Sequence, residues 1–418
     1  MSSDSFLIEL RIGYPRWKLI EPINTVAKKF HLTLESPRVP HMSLYGSFQI
    51  KDGFSIRDVK KAIESVSVHY DYLSYIIDGW DFKKGREGWV IAFKILPSPE
   101  LERCKTDLVH NLLKISEPKN SWDYYPEKAW YHITLAFKLT DGQYNKIVKE
   151  LQKQKVSRIG LLQKFFPSIL QTFTDPNRLY LHPLLLPVDA FRITILHRSL
   201  IAAEYDLVTK RWLNRSDAKS TYHLGNTLKN YRIKKGIELT RPHHYTDKTI
   251  FTLADLHLGH SNIIKYCCRP FLFSDINEMD SVLINNWNNT IKPHDIVFYV
   301  GDLSLSSHQY YISKLNGNIT FIQGNHDSQI PSVKDFFEYN YHGIDFLFIH
   351  DPKHAPKNYP GWIIHGHEHN NKIRKYPFFD PVNRKINVGV ELVKYQPVRL
   401  KYIYDLIMNK HETIPYCE

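Results

Sequence analysis

The chain has 418 residues, 43% of them hydrophobic, four cysteines and a formal net charge of +12. That length predicts two or three domains, since single cores stop growing near 250–300 residues. No run of 18 apolar residues is present, which excludes an apolar membrane-spanning helix as an expectation. The first residues include Asp4 and Glu9 and lack an apolar core segment, so they do not read as a signal peptide. Two of the cysteines, Cys267 and Cys268, are adjacent, and the spacing suits neither a disulfide framework nor a zinc site. A cytoplasmic protein with free thiols is expected, with no membrane association and no obligate protein partner.

The charge is uneven. Residues 1–215 carry 32 Lys/Arg against 23 Asp/Glu, residues 216–248 carry 7 against 3, and residues 249–418 carry 16 against 17. A basic excess of this kind favours a polyanionic partner, such as RNA ends or nucleotides.

Phe6–Ile12 alternates enough for a strand, and Pro22–His31 presents Ile23, Val26, Ala27 and Phe30 on one helical face. A strand over 39–46, a helix over 56–70, a strand over 89–95 and a helix over 99–115 follow. A strand over 132–137, a helix over 142–154 and a closing hairpin from 191–196 and 200–206 complete an α+β domain over residues 1–212. Its expected form is antiparallel sheets with helices. Residues 213–247 are polar and basic, with no sustained apolar face, and read as a linker or extended arm. From 248 to 418 the pattern becomes buried strands that run into turns rich in His and Asp, an α/β arrangement.

In that last region, Thr249–Ala254 runs into Asp255-Leu-His257, and Asp295–Val300 into Gly301-Asp302. Ile319–Gln323 runs into Gly324-Asn325-His326-Asp327, Ile344–Ile349 into His350, and Trp362–Ile364 into a cluster ending Gly366-His367-Glu368-His369. Carboxylate, imidazole and amide oxygen suit divalent first-row metals, and an aspartate between two ions can bridge them. Glycine beside three of the clusters allows tight turns and close backbone approach. Glu368 is expected to face solvent, and His365 reads as a structural strand-end histidine or a substitute ligand.

These five ordered motifs, spanning about residues 249–402, resemble the calcineurin-like metallophosphoesterase superfamily. The resemblance implies a β-sandwich flanked by helices in four layers and a pair of divalent ions. Manganese is expected first, with iron, nickel or zinc also compatible. It implies that Asp255, His257 and His369 bind the first metal, that Asp302 bridges, and that Asn325, His350 and His367 bind the second. His326 would protonate or stabilise the leaving oxygen, and Asp327 would orient that imidazole. His260 and Arg269 are candidate contacts to substrate phosphate. The stretches His260–Phe271 and Asn387–Leu392 also resemble a small subgroup of uncharacterised prokaryotic and phage phosphoesterases.

The N-terminal region carries His41-Met-Ser43 and, about ninety residues on, His132-Ile-Thr134. On a strand, residues i and i+2 face the same side, so each hydroxyl joins its histidine in one cleft. Two such histidines can share acid and base work at one phosphorus, while Ser43 and Thr134 donate hydrogen bonds to phosphoryl oxygens. Tyr45, Tyr124, Tyr125, Trp130 and Tyr131 are candidates to stack a base. The pair of motifs resembles the 2H phosphoesterase superfamily, including the 2′-5′ RNA ligase-like proteins, over about residues 5–212. That resemblance implies a two-lobed fold and a cofactor-free opening of 2′,3′-cyclic phosphates. Together the two halves predict a bifunctional RNA-end or nucleotide healing enzyme, with a cyclic phosphodiesterase step followed by a metal-dependent phosphomonoesterase step. Breakdown of small cyclic nucleotides or 2′-5′ oligoadenylates is the alternative. So is an RNA-binding N-terminal module serving a metal-dependent phosphodiesterase or nuclease.

Overall fold

A computed structural model of the protein describes residues 5–13, 16–30, 32, 40–85, 87–149, 185–242, 249–305, 307–327, 330 and 333–408. The chain divides into two compact units, Met1–Thr227 and Leu228–Glu418. Both combine helices and sheets. No helix among the described residues is long and apolar enough to cross a membrane.

The first unit holds two antiparallel sheets. One has six strands in the order Arg211–Leu213, Leu200–Asp206, Arg192–His197, Phe6–Arg11, His41–Ile50 and Ser116–Pro118. The other has four, in the order His132–Leu139, Gly88–Pro97, Leu73–Gly85 and Leu185–Ala190. The hairpin expected near 191–206 is present and pairs with Phe6–Arg11. Four of these strands escape the sequence reading: Leu73–Gly85, Leu185–Ala190 and the three-residue Ser116–Pro118 and Arg211–Leu213. In Leu73–Gly85 the register shifts between Ile77 and Trp80, and the run ends in Lys83-Lys84-Gly85, so the period-two signal is broken. Of the helix expected over 142–154, residues 141–149 are described and helical.

Helix Pro99–Ile115 shows how sequence dictates placement. Ser98 caps it by accepting from the Leu101 amide at 3.2 Å, and Pro99 occupies the first turn, where its missing N–H costs nothing. Leu101, Cys104, Leu108, Val109 and Leu112 form its buried stripe, and Lys105 lies in that same stripe.

In the second unit, Asn318–Ile322, Ile296–Val300 and Ile250–Leu253 are parallel neighbours, with Val398–Arg399 antiparallel at the edge. A five-stranded sheet runs Phe336–Tyr341, Ile344–Ile349, Trp362–His365, Lys385–Asn387 and Phe379–Asp380. The sheets pack through Phe298, whose ring lies 4.8 Å from Phe348, 5.0 Å from Phe337 and 5.1 Å from Tyr339. The aligned strand ends gather every motif expected to bind metal, as open α/β layers do.

The stretch expected as a basic arm is folded over much of its length. It contains helices Arg215–Lys219 and Thr221–Lys234. Arg232 is fully buried and bonds Glu278 at 2.6 Å, Glu238 at 3.1 Å and the Pro270 carbonyl at 3.1 Å. Asn286, also buried, accepts from the Leu239 amide at 2.9 Å and donates to the Ile237 and Tyr395 carbonyls at 2.6 and 3.0 Å. A reading based on apolar periodicity misses such a segment because polar side chains tie it down. Replacing Asn286 with Ala removes the partner of two buried carbonyls, of Ile237 and Tyr395, and of the part-buried Leu239 amide. It should lower unfolding stability by about 2–3 kcal/mol, read as a lower urea midpoint with the native circular dichroism retained.

Candidate active sites

The strand-end residues of the second unit converge. Ligand atoms of Asp255, His257 and His369 lie within 4.8 Å of one another, as do those of Asp255, Asp302 and His350, and of His257, Asp302 and His326. Asn325 Oδ1 lies 3.2 Å from His350 Nε2 and 3.0 Å from His367 Nδ1, and those two nitrogens are 3.3 Å apart. All seven residues expected to bind metal therefore meet in one place.

The donor set fits divalent cations, being oxygen and imidazole throughout. His257 is buried, yet neither of its ring nitrogens makes a hydrogen bond, a costly state unless a ligand satisfies it. Other candidate ligands are aimed by their neighbours. His350 Nδ1 donates to the Val300 carbonyl at 2.8 Å, leaving Nε2 toward Asp302 Oδ2 at 3.3 Å. His369 Nδ1 donates to Glu391 at 3.2 Å, leaving its Nε2 bare. The backbone is also strained toward this geometry. Asp255, His257, Asp302, His367 and His369 all have φ between 47° and 69°, a left-handed region that side chains avoid at roughly 1 kcal/mol or more each. At Gly324 a Cβ would collide with Asp302, and at Gly301 with His350, so glycine permits the approach of ligand to turn.

Protonation follows from this crowding. Burial, reinforced by the charges of Asp302 and Glu391, pushes Asp255 up to about 6. Burial opposes charge on His350, but its bond to Asp302 and the nearby carboxylates overcome that and raise it to about 9. His365, in contrast, is driven by burial down to about 4, bonds the neighbouring Gly366 carbonyl and packs against Tyr376.

Three expectations change. Arg269 is fully buried and cannot reach substrate: its guanidinium donates to the Asp255 and Leu256 carbonyls, both at 2.7 Å, to Glu391 and to the Met279 sulfur. It is a strut beneath the ligands. Asp327 does not orient His326; its carboxylate accepts from the amides of Asp302 at 2.6 Å, Leu303 at 2.9 Å and Gly324 at 3.0 Å. Glu368 does not face solvent but is buried, held by Lys353 at 3.0 Å and Lys372 at 2.6 Å. His260 stays at the site, its ring 5.5 Å from His257 and 6.4 Å from His326. Glu391 was not singled out as a site residue from sequence. Its signal lay in the Asn387–Leu392 stretch, but a lone glutamate there has no visible partner until the fold brings His369 and Arg269 to it.

In the first unit, His41 and Ser43 share one face of their strand, with Met42 and Leu44 buried on the other. His132 and Thr134 do the same around Ile133 and Leu135. Ser43 and His132 line a cavity of about 460 Å³. His132 Nδ1 donates to the Trp130 carbonyl at 2.8 Å, and its ring stacks on Trp130 with centroids 3.7 Å apart. A carbonyl only accepts, so the neutral ring keeps its lone pair on Nε2. Burial holds His132 below the usual histidine range, and the charges of Lys105 and His41 add to this. His41 Nδ1 lies 3.4 Å from the buried carboxylate of Glu9.

Lys105 was invisible as a site residue from sequence, because one lysine in a helix usually faces water. Here its ammonium lies 3.4 Å from the Ser43 carbonyl and 5.1 Å from the Tyr131 ring, and burial lowers it to about 8. Of the aromatic candidates, Tyr45 is core, Trp130 supports His132, and Tyr124 and Tyr125 are exposed.

No protein-family profile matches the chain. An uncharacterized protein of Methanocaldococcus jannaschii is 44% identical over 166 residues, which cover 38% of this chain and 92% of that one. The gene 66 protein of Mycobacterium phage L5 is 28% identical over 206 residues, covering 39% of this chain and 96% of its own. Among solved structures, a protein of unknown function from Aquifex aeolicus matches with 21% identity and a TM-score of 0.31, covering 38% of this chain and all of its own. Usb1 of Kluyveromyces marxianus matches with 12% identity and a TM-score of 0.26, covering 48% of this chain and 96% of its own.

Because Glu391 orients His369 and is itself held by Arg269, Glu391→Gln should keep the fold while lowering affinity for Mn²⁺ roughly 10–100-fold. Titration calorimetry on the metal-stripped protein checks this; unchanged affinity would remove Glu391 from the site.

Proposed function

We propose a bifunctional phosphoesterase for this chain, which belongs to the family of the Methanocaldococcus jannaschii protein over the matched 166 residues. The first unit opens a 2′,3′-cyclic phosphate at an RNA end to a monoester, and the second removes that monoester. The observation that carries this reading is the pairing of two sites of different chemistry. One is a basic cavity lined by His132 and Ser43, with His41 near enough for its charge to act on His132, and the other a largely buried oxygen and imidazole cluster whose groups could hold cations.

The geometry supports a division of labour at the first site. His132 is held neutral with Nε2 bare, the state of a general base. It takes the proton from water as the water oxygen bonds to phosphorus. His41, whose Nδ1 lies 3.4 Å from the Glu9 carboxylate, takes the complementary role and gives its proton to the ribose oxygen whose bond to phosphorus breaks. Ser43 and Thr134 share the faces of these histidines and can donate to the phosphoryl oxygens.

At the second site, Asp255, His257 and His369 would hold one cation and Asn325, His350 and His367 the other, with Asp302 between them. Two such cations supply polarisation of the phosphoryl group and an acidified water. His326 lies beside this cluster, its ring 5.4 Å from His257 and its amide bonded to Asp302 at 2.9 Å, in position to protonate the departing oxygen. His260, next to it, is the remaining candidate to contact the substrate phosphate. Manganese is the cation we expect first.

Product analysis on an oligonucleotide ending in a 2′,3′-cyclic phosphate tests both halves. Chelator should stop phosphate release and spare ring opening, while His41→Ala/His132→Ala should lower ring opening at least a hundredfold. Ring opening unchanged in that double variant would sink the first half; phosphate release retained in both Asn325→Ala and His367→Ala would sink the second. Since a lowered base stays neutral to lower pH, kcat/KM for ring opening should begin its acid-side fall below about 6.5.

A further inference from the structure

We propose that the first unit carries a stacking and phosphate-binding track for single-stranded RNA, formed by Trp122, Lys83 and Lys128 at the mouth of the histidine cavity. This rests on reading residues 1–227 as the part that opens the cyclic phosphate, and it extends that reading from the terminal nucleotide to the strand leading to it.

Trp122 lines the same cavity as His132 and Ser43, yet its side chain is 69% exposed. A large indole left in water beside a reactive histidine has no packing role to explain it. Trp130, by comparison, is spent on His132 and on Asp81, to which its N–H donates at 2.8 Å. Tyr124 and Tyr125 follow Trp122 and are 49% and 54% exposed. Three accessible rings in one short segment offer π-faces to successive bases without regard to sequence.

The charge is complementary. Lys83, Lys84, Lys105 and Lys128 line the cavity, with Asp123 as the one carboxylate among its lining residues. Asp123 is buried and occupied, accepting from the Gly46 amide at 3.1 Å. Lys105 sits inside, near Ser43, and Lys84 is bound to Asp141 at 2.9 Å. Lys83 and Lys128 are exposed at the rim, and among the described residues neither makes an ion pair. Each rests over a ring, Lys83 over Trp130 and Lys128 over Tyr125, both at 5.2 Å. Ammonium groups held on aromatic faces beside a ring left bare match alternating phosphates and bases.

Size points the same way. A cavity of about 460 Å³ takes a nucleotide-sized ligand, so a longer strand must extend beyond it, and Trp122 both lines it and stays exposed.

The test measures binding and turnover separately, on the full-length protein. Fluorescence anisotropy with a labelled single-stranded oligoribonucleotide should show Trp122→Ala weakening affinity roughly tenfold, and Trp122→Phe recovering most of it. Lys83→Ala and Lys128→Ala should each lower the slope of log affinity against log salt by about one. In turnover, Trp122→Ala should raise KM for an oligonucleotide cyclic phosphate far more than for uridine 2′,3′-cyclic phosphate. Trp122→Ala binding the oligonucleotide as tightly as the wild-type protein, or no binding by the wild-type protein, overturns the track. If the wild-type protein opens neither cyclic substrate, the functional reading fails and the anisotropy result still decides the track.

Discussion

Burying charge without leaving it unpaired is the constraint on which the second unit depends. Several carboxylates and imidazoles sit together at strand ends, where water cannot compensate them, and each would be costly alone. Arg269 answers this from below. Its five N–H groups are all used, on two backbone carbonyls of the first motif, on the Met279 sulfur and on Glu391. Glu391 then holds His369, so one guanidinium sets the position of two candidate ligands that are 114 residues apart in sequence. Asp327 does the matching work on the other side, gathering three amides around Asp302 and Gly324. The left-handed backbone at five candidate ligands persists because these bonds over-determine it.

The first unit solves a different problem with less charge. Its histidines are controlled one at a time, His132 by a carbonyl and a stacked indole, His41 by a carboxylate. The same alternation that buries Met42, Leu44, Ile133 and Leu135 delivers the histidines and hydroxyls to the opposite face. Lys105 adds a cation from a third element, at the cost of breaking the apolar stripe of its helix. The two proposed chemistries would suit successive steps on one phosphate, because ring opening creates a monoester, the kind of group a site holding two cations hydrolyses.

Much of this was legible from residues alone, for identifiable reasons. Oxygen and imidazole side chains at the ends of buried apolar runs marked the cluster in which they meet, since local hydrophobicity predicts a strand and strands align their ends. The His-x-Ser and His-x-Thr repeats marked the cleft, since period two is a local property. Arg269 was misread as a substrate contact because an arginine near a phosphate site usually reaches outward. Nothing local reveals that a guanidinium will find four partners inside. The described part of the expected arm, residues 213–242, is folded, which apolar periodicity misses because polar anchors such as Arg232 and Asn286 leave no trace in it.

The sequence by itself determined which side chains could do chemistry, and it placed them on strands or turns, because both depend on near neighbours in the chain. Tertiary structure alone decided which of them gather at a site and which support it. It turned Arg269 and Asp327 into struts, joined Glu391 to His369, sank Lys105 beside Ser43, and left Trp122 in water at the mouth of a cavity. Those roles depend on distance and desolvation between residues far apart in sequence, and only a folded chain sets either one.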